Sequence, residues 1–175
     1  MKYINKSLFI EKTKVQNIVK KFGTPIYCYS YKQLKKNITN FKKNFKSFSP
    51  LICFAIKSNS NVNLIREIRK LGLGADVVSM GELMMALKAG VKPKKIVFSG
   101  VGKTSNEINY AIDKKIMLIN AESKGENNKI KQISTGKKEN KFGVDEKTFI
   151  DLVNYSKLSK NINLKCLSVH IGSQI

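Results

Sequence analysis

The chain has 175 residues, 42% of them hydrophobic, which is enough for one globular domain with a sizeable core. Its formal net charge of +21 comes almost wholly from lysine, because Arg66 and Arg69 are the only arginines. Arginine is preferred for bidentate phosphate and guanine contacts, so this charge indicates a solvated basic surface and argues against specific nucleic-acid recognition. The sequence contains no run of about 18 apolar residues, which argues against a membrane-spanning helix.

The N-terminal stretch and the cysteines bear on the cellular compartment. The N-terminal stretch carries charges among its apolar positions and lacks the unbroken apolar centre of a secretory signal peptide. Cys28, Cys53 and Cys166 are widely spaced in apolar runs, which predicts reduced thiols in the core with neither a disulfide framework nor metal-ligand spacing. We therefore expect a cytoplasmic protein without a bound metal.

Residues 1–49 form an N-terminal segment with a pattern of its own. We predict a basic helix, then a strand over residues 24–31, and then a second, lysine-rich helix. The strand is predicted because Tyr27, Tyr29 and Tyr31 alternate with other residues in "TPIYCYSY". It lies outside the regular repeat that follows.

Residues 50–175 alternate between short apolar strands and amphipathic helices. The predicted strands are "LICFAIKS", "GADVVS", "KKIVFSG", "IMLINAES" and "LKCLSVHIGS". The predicted helices are "NVNLIREIRKLG", "MGELMMALKAG", "TSNEINYAIDKK" and "DEKTFIDLVNYSKLSK". Thr104 and Glu107 have the spacing of a capping box at the start of the third helix. This alternation is typical of parallel βαβ units.

Polar residues and one glycine gather at the ends of the predicted strands. At or just past a strand's carboxyl end lie Lys57, Ser58, Ser79, Ser99, Gly100, Glu122 and His170. In an α/β barrel that face carries the site, and a doubly wound sheet uses the same strand ends. The chain has no G-x-G-x-x-G after its first strand and no P-loop, which argues against dinucleotide and nucleoside-triphosphate binding.

Lys57 and His170 are the strongest candidates for chemistry. Lys57 follows an apolar run, and burial at the mouth of a barrel would disfavour its charged form and free the amine for Schiff-base chemistry. A surface role is the alternative. His170, the only histidine, could stack on an aromatic cofactor ring, and Gly172 and Ser173 after it could hold a phosphate. A core role is the alternative for this histidine.

Two carboxylates are ambiguous from the sequence alone. Asp76 lies inside a predicted strand and could pair with Lys57 or His170, or serve as hydrogen-bonded structure. Glu82 is most simply a residue of a helix's first turn, where the helix dipole favours a negative charge.

Four motifs occur in order, namely "FAIKSNSN", "GLGADVVSMGEL", "STGKKENKFG" and "VHIGSQI". Together they resemble the alanine-racemase-like, pyridoxal-phosphate-dependent decarboxylases over most of the chain, from about residue 23 to residue 175. The third and fourth motifs are the more specific, and they are most similar to the diaminopimelate decarboxylase branch of that family.

The resemblance implies an α/β fold, a partial (β/α)8 TIM barrel of the alanine-racemase-like type that binds pyridoxal 5'-phosphate. It implies that Lys57 forms a Schiff base with the cofactor, that His170 stacks on its ring, and that Gly172 and Ser173 hold its phosphate. Asp76 matches a carboxylate near the lysine and the histidine. The implied reaction converts meso-2,6-diaminopimelate to L-lysine and carbon dioxide in a homodimer.

The chain departs from the family pattern in two places. Between Ser123 and Ile133, one βα step of about 30 residues has no counterpart. The sequence given ends at Ile175, after the sixth strand position of the pattern, whereas a complete barrel has about 250 residues. The later strands and a C-terminal β domain, which the strand over residues 24–31 would join, are thus not included. We expect this chain alone to be inactive, weakly stable and prone to association.

Other interpretations stay open from the sequence. A pyridoxal-phosphate carrier or a decarboxylase of another basic amino acid would share the fold, although the "ENKFG" and "HIGSQI" segments argue against the carrier. A non-enzymatic basic binding module is the third interpretation, and binding to duplex DNA that persists at high salt would support it. Binding that is lost as salt rises would indicate only lysine electrostatics.

Overall fold

The computed structural model describes residues 1–45, 50–123, 125–126, 147, 150–151, 153–154 and 157. The chain divides into two compact units, Met1–Pro50 and Leu51–Ile175. Among the described residues, no helix is long and apolar enough to cross a membrane.

The first unit begins with a small antiparallel sheet of three strands, β1 (Lys2–Ile4), β2 (Ser7–Ile10) and β3 (Thr13–Lys14). β1 and β2 pair so that Ile4 lies opposite Ser7, which leaves only Asn5 and Lys6 in the turn. Both turn residues have positive φ, 45° and 60°, as a tight turn of the type favoured in hairpins requires. The sequence analysis missed this sheet and had only a helix before residue 24.

Two helices follow in the first unit, α1 (Val15–Phe22) and α2 (Tyr31–Lys43). Glu11 supports the start of α2, because its carboxylate accepts hydrogen bonds of 2.7 Å from the backbone N–H of Lys32 and the hydroxyl of Ser30. These bonds, the one from Lys32 first, lower the pKa of Glu11. Both helices were expected from the sequence.

The strand expected over residues 24–31 is not formed in the described part of the chain. Residues 24–30 have no strand assignment, and Tyr31 is already the first residue of α2. An alternating pattern of side chains does not by itself form a strand, because the backbone must also hydrogen-bond to a neighbouring strand. No described strand pairs with this segment.

The second unit repeats strand and helix in the expected order. Its strands are β4 (Cys53–Ala55), β5 (Gly74–Val77), β6 (Ile96–Phe98) and β7 (Leu118–Ile119). Its helices are α3 (Val62–Lys70), α4 (Met80–Lys88) and α5 (Ser105–Asp113), with short 3₁₀ turns at Ile56–Ser58 and Pro93–Lys95. Of the helix expected after residue 144, six described residues are helical, whereas the strand expected to carry His170 lies outside the described residues.

The four strands of the second unit are parallel and lie in the order β4-β5-β6-β7. Each strand therefore pairs with the one before it, and the order does not reverse among the described strands. A doubly wound sheet changes direction at a switch point, whereas a (β/α) barrel adds each strand on the same side. The strand order decides the alternative that the sequence left open and confirms the expected part of an α/β barrel.

Alternate residues of the strands pack against the helices. Ala75, Val77, Ile96 and Phe98 join one buried cluster with side chains of α3, α4 and α5, and each is at most 1% exposed. Fully burying a side chain of this size stabilises a fold by about 1.5–3 kcal/mol. The residues between them, Asp76 among them, lie on the opposite face of the sheet, because side chains alternate along a strand.

Candidate functional site

The carboxyl ends of β4 to β7 meet at one edge of the parallel sheet. Lys57 follows β4, Asp76 lies near the end of β5, and Ser99 and Asn120 come directly after β6 and β7. The backbone ladder continues past the assigned strands, since the N–H of Ser99 bonds to the carbonyl of Val77 and that of Asn120 to the carbonyl of Phe98. These four polar side chains thus start from neighbouring points along this edge.

A 3₁₀ turn, Ile56–Ser58, presents Lys57. Ile56 is fully buried in the core cluster, and the hydroxyl of Ser58 donates a 2.7 Å bond to the carbonyl of Ala55. Both contacts hold the backbone on either side of the lysine, while Lys57 itself is exposed. The expectation that burial would free its amine is therefore wrong in the described structure, because the chain turns out of the strand one residue before Lys57.

The exposed amine of Lys57 can still do chemistry. Neither of the two ion pairs found among the described residues involves it. An exposed primary amine without an ion-pair partner can approach and attack an aldehyde, which is the first requirement of Schiff-base formation.

Asp76 lies on β5 level with Ala55 of β4, and Lys57 is two residues beyond Ala55. The carboxylate of Asp76 accepts a 2.6 Å hydrogen bond from the hydroxyl of Ser99. The side-chain amide of Asn120 donates a 3.1 Å bond to that same hydroxyl oxygen. We call these three residues the polar row. Among the described residues, Asp76 is hydrogen-bonded to Ser99 and forms no ion pair with Lys57. The alternative partner, His170, lies outside the described residues.

A buried ion pair lies beside the polar row. Lys103 and Glu126 are 2% and 4% exposed, and their charged groups are 3.1 Å apart. The ammonium of Lys103 also donates to the carbonyls of Gly100 and Asn120, the latter at 2.7 Å. Each proton of the ammonium thus has an acceptor, as a buried charge requires.

Two further glutamates act as caps at this edge. Ser79 caps α4 by accepting the N–H of Glu82, whose own carboxylate accepts the N–H of Val78, which confirms the helix-start interpretation of Glu82. Glu107 completes the expected capping box with Thr104 and also accepts the N–H of Met80. The backbone bond from Thr104 chiefly lowers the pKa of Glu107, against a smaller opposing effect of burial.

The structure brings together Lys57 and Asp76, two of the five predicted site residues. The other three, His170, Gly172 and Ser173, lie outside the described residues. The described residues contain no group of three or more His, Cys, Asp or Glu side chains placed to hold a metal ion.

Sequence analysis missed Asn120, Lys103 and Glu126. Asn120 directly follows an apolar strand, which is the same signal that singled out Ser99. Lys103 and Glu126 gave no signal, because the chain contains many lysines and burial of the pair depends on the packing of two loops.

Comparison with known proteins gives a consistent family. Residues 31–134 match the family model "Pyridoxal-dependent decarboxylase, pyridoxal binding domain". Among curated proteins, the chain is similar to the diaminopimelate decarboxylase of Helicobacter pylori strain J99, with 38% identity over 91% of this chain and 46% of the relative. The diaminopimelate decarboxylase of Aquifex aeolicus is 34% identical over 100% of this chain and 47% of the relative.

Among solved structures, the diaminopimelate decarboxylase of M. jannaschii in co-complex with L-lysine superposes with a TM-score of 0.85. It is 32% identical, and the match covers 98% of this chain and 47% of that one. The chain therefore spans about half the length of the relatives it matches.

The match to one relative shows that some of that relative's positions have no counterpart in this chain. The match to the Aquifex aeolicus relative extends over 201 positions, whereas this chain supplies all of its 175 residues. The match is 26 positions longer than this chain, so at least 26 residues of the relative have no counterpart here. That number agrees with one βα step of about 30 residues.

Proposed function

This chain belongs to the pyridoxal-dependent decarboxylases, and we propose that it carries the cofactor-anchoring part of a site that decarboxylates meso-2,6-diaminopimelate to L-lysine. The observation that carries the proposal is the exposed amine of Lys57, which has no ion-pair partner among the described residues. It lies at the carboxyl edge of the parallel strands, inside the region that matches the family model. The names of the relatives, at 32–39% identity, support diaminopimelate as the substrate.

The described residues fit pyridoxal phosphate. Lys57 offers a primary amine to the cofactor's aldehyde, and its backbone is held by the buried Ile56. The polar row offers a carboxylate one strand away, which suits a cationic nitrogen. When bound, the cofactor withdraws electrons from the substrate's α-carbon so that the carboxylate can leave as carbon dioxide.

We assign the remaining roles by the motifs of the chain. Lys57 would hold the cofactor through its amine. Asp76 stabilises positive charge near the nitrogen of Lys57. His170 stacks on the cofactor ring, while Gly172 and the hydroxyl of Ser173 bind the phosphate.

Two wider assignments belong to the same proposal. The full site is built in a homodimer, in which the partner contributes to reprotonation of the product. The protein works in the cytoplasm, where its thiols stay reduced; Cys28 and Cys53 are free cysteines in the described part of the chain.

Borohydride trapping tests the anchor. The purified chain is incubated with pyridoxal phosphate, reduced and digested, and the modified lysines are mapped by mass spectrometry. We expect the label to concentrate on Lys57, to disappear from that peptide in Lys57→Ala, and to be unchanged in Lys88→Ala, which removes an exposed lysine of α4. Label spread evenly over surface lysines would refute the proposal.

A second assay tests the substrate. Carbon dioxide release is compared for meso-diaminopimelate, L-ornithine and L-arginine, each with the same chain and cofactor. Release from diaminopimelate would establish the reaction and show that the expected inactivity of this chain alone was wrong. Release from ornithine or arginine but not from diaminopimelate would overturn the substrate assignment.

A further inference from the structure

We infer that Ser99 and Asn120 are positioning residues of the lysine site, which orient the carboxylate of Asp76, and that the buried Lys103–Glu126 pair holds Asn120 in place. This inference rests on the proposed role of Lys57 as the cofactor anchor. It adds residues that lie outside the four sequence motifs of the family.

The direction of the hydrogen bonds supports the role of Ser99 in orienting Asp76. Ser99 has a single hydroxyl proton, and its oxygen already accepts from the amide of Asn120. That proton therefore goes to Asp76, at the 2.6 Å distance typical of a hydroxyl donating to a carboxylate. One carboxylate oxygen of Asp76 is thereby held, and the other has no hydrogen-bond donor among the described residues.

Backbone hydrogen bonds hold Ser99 and Asn120 in place beside Asp76. The row crosses three adjacent strands, and both Ser99 and Asn120 remain bonded to the neighbouring strand through their backbone N–H groups, at 2.8 and 2.9 Å. Their side chains therefore leave the sheet from fixed positions. A row anchored in this way can hold Asp76 in one orientation.

The contacts of the Lys103–Glu126 pair support its role in holding Asn120 in place. The ammonium of Lys103 donates to the backbone carbonyl of Asn120 at 2.7 Å and to the carboxylate of Glu126 at 3.1 Å. Glu126 also accepts the backbone N–H groups of Lys103 and Glu122, at 3.1 and 2.9 Å. These bonds therefore join the segments that follow β6 and β7 next to Asn120, which lies at one end of the polar row.

The expected consequence concerns the nitrogen of Lys57 once it has bound the aldehyde. An oriented carboxylate one strand away would stabilise a positive charge on that nitrogen. If Ser99 is lost, Asp76 can turn away, and the equilibrium occupancy of Lys57 by pyridoxal phosphate falls.

The test is a double-mutant cycle read out as the apparent dissociation constant of pyridoxal phosphate at Lys57, measured by trapping and peptide mapping. We expect Ser99→Ala and Asp76→Asn each to weaken binding about tenfold, the size of one hydrogen bond to a charged group. Ser99→Thr, which keeps the hydroxyl, restores binding. In the Asp76→Asn background, Ser99→Ala adds no further loss, because Ser99 acts through Asp76.

The control is Ser105→Ala, which removes a half-buried hydroxyl at the start of α5 and leaves binding at Lys57 unchanged. An apparent dissociation constant at Lys57 that is unchanged in Ser99→Ala, or losses that multiply in the double variant, would overturn this inference alone. No preference for Lys57 even in the unaltered chain would overturn the proposed function, and this inference with it.

Discussion

Lys103 and Glu126 are 23 residues apart in the sequence, yet their side chains form a 3.1 Å ion pair that is almost completely buried. The exposed fractions of the two side chains are 1% and 5%. Glu126 lies just beyond the last described strand, and Lys103 lies just before α5. The pair therefore joins the segments after β6 and β7 at the edge where the candidate site lies.

Removing one partner of this pair should destabilise the second unit strongly. Lys103→Met leaves the Glu126 carboxylate buried without its cation, and we expect a loss of about 3–5 kcal/mol in the free energy of unfolding. Urea denaturation followed by circular dichroism measures it. The matched control is Lys70→Met, which breaks the exposed pair with Glu67 and should cost at most about 1 kcal/mol. Equal losses in the two variants would show that burial of the Lys103 pair is unimportant.

Glu107 accepts backbone hydrogen bonds at the starts of α4 and α5, so replacing it should destabilise both helices. Glu107→Ala removes the acceptor of the N–H groups of Thr104 and Met80, and we expect a loss of about 0.5–2 kcal/mol in stability at pH 7. Thermal unfolding measures it. Glu67→Ala, which removes an exposed carboxylate, should change stability by less.

The Glu107 contribution should also depend on pH with a definite sign. Its folded-state pKa is lowered from 4.5, so the folded state binds protons more weakly than the unfolded state. The stabilisation is fully present above pH 4.5 and is lost as the pH falls through the folded-state pKa. The stability difference between the unaltered chain and Glu107→Gln should therefore narrow below pH 4.5. A difference that widened in acid would contradict the assignment.

Gly74 begins β5 at a point where the 3₁₀ turn Pro93–Lys95 passes too closely for a side chain. A Cβ atom there would be 2.2 Å from the backbone carbonyl oxygen of Lys95 and 2.9 Å from the sulfur of Cys53. We expect Gly74→Ala to cost about 1–3 kcal/mol, because a backbone atom must shift. Gly81→Ala is the matched control, since Gly81 is in α4 and its nearest atom would be 3.8 Å away. That change should be neutral or stabilise by up to about 1 kcal/mol.

Cys53 and Cys28 should differ in reactivity. Burial, and then the neighbouring charge of Asp76, raises the pKa of the Cys53 thiol, whereas Cys28 is exposed. In a Cys166→Ser background, we expect Cys28 to react with a disulfide reagent at pH 7.5 at least about ten times faster than Cys53, because the thiolate is the reactive form. Cys28→Ser and Cys53→Ser variants assign the two rates. Faster reaction at Cys53 would refute its burial.

The repeat of strand and helix in the second unit could be predicted from local signals. Apolar runs marked each strand, and the apolar spacing in "NVNLIREIRKLG" predicted the helix α3, whose buried residues are Ile65 and Ile68. The capping box of Thr104 and Glu107 also needs only two residues at the right spacing, and it is present. The first unit was harder, because its hairpin depends on Asn5 and Lys6 adopting positive φ, and the strand expected over residues 24–31 has no described partner.

The sequence by itself therefore determined the family, the parallel βα repeat and the position of Lys57 just after a buried strand, because each depends on residues close together in the chain. Only the tertiary structure decided that the strands keep one order, that Lys57 is exposed, and that Asp76 bonds to Ser99. The same holds for the burial of the Lys103–Glu126 pair. The strand order, the bond of Asp76 and the ion pair each require residues about 20 or more positions apart to meet, and such contacts are set by how strands pair and loops pack.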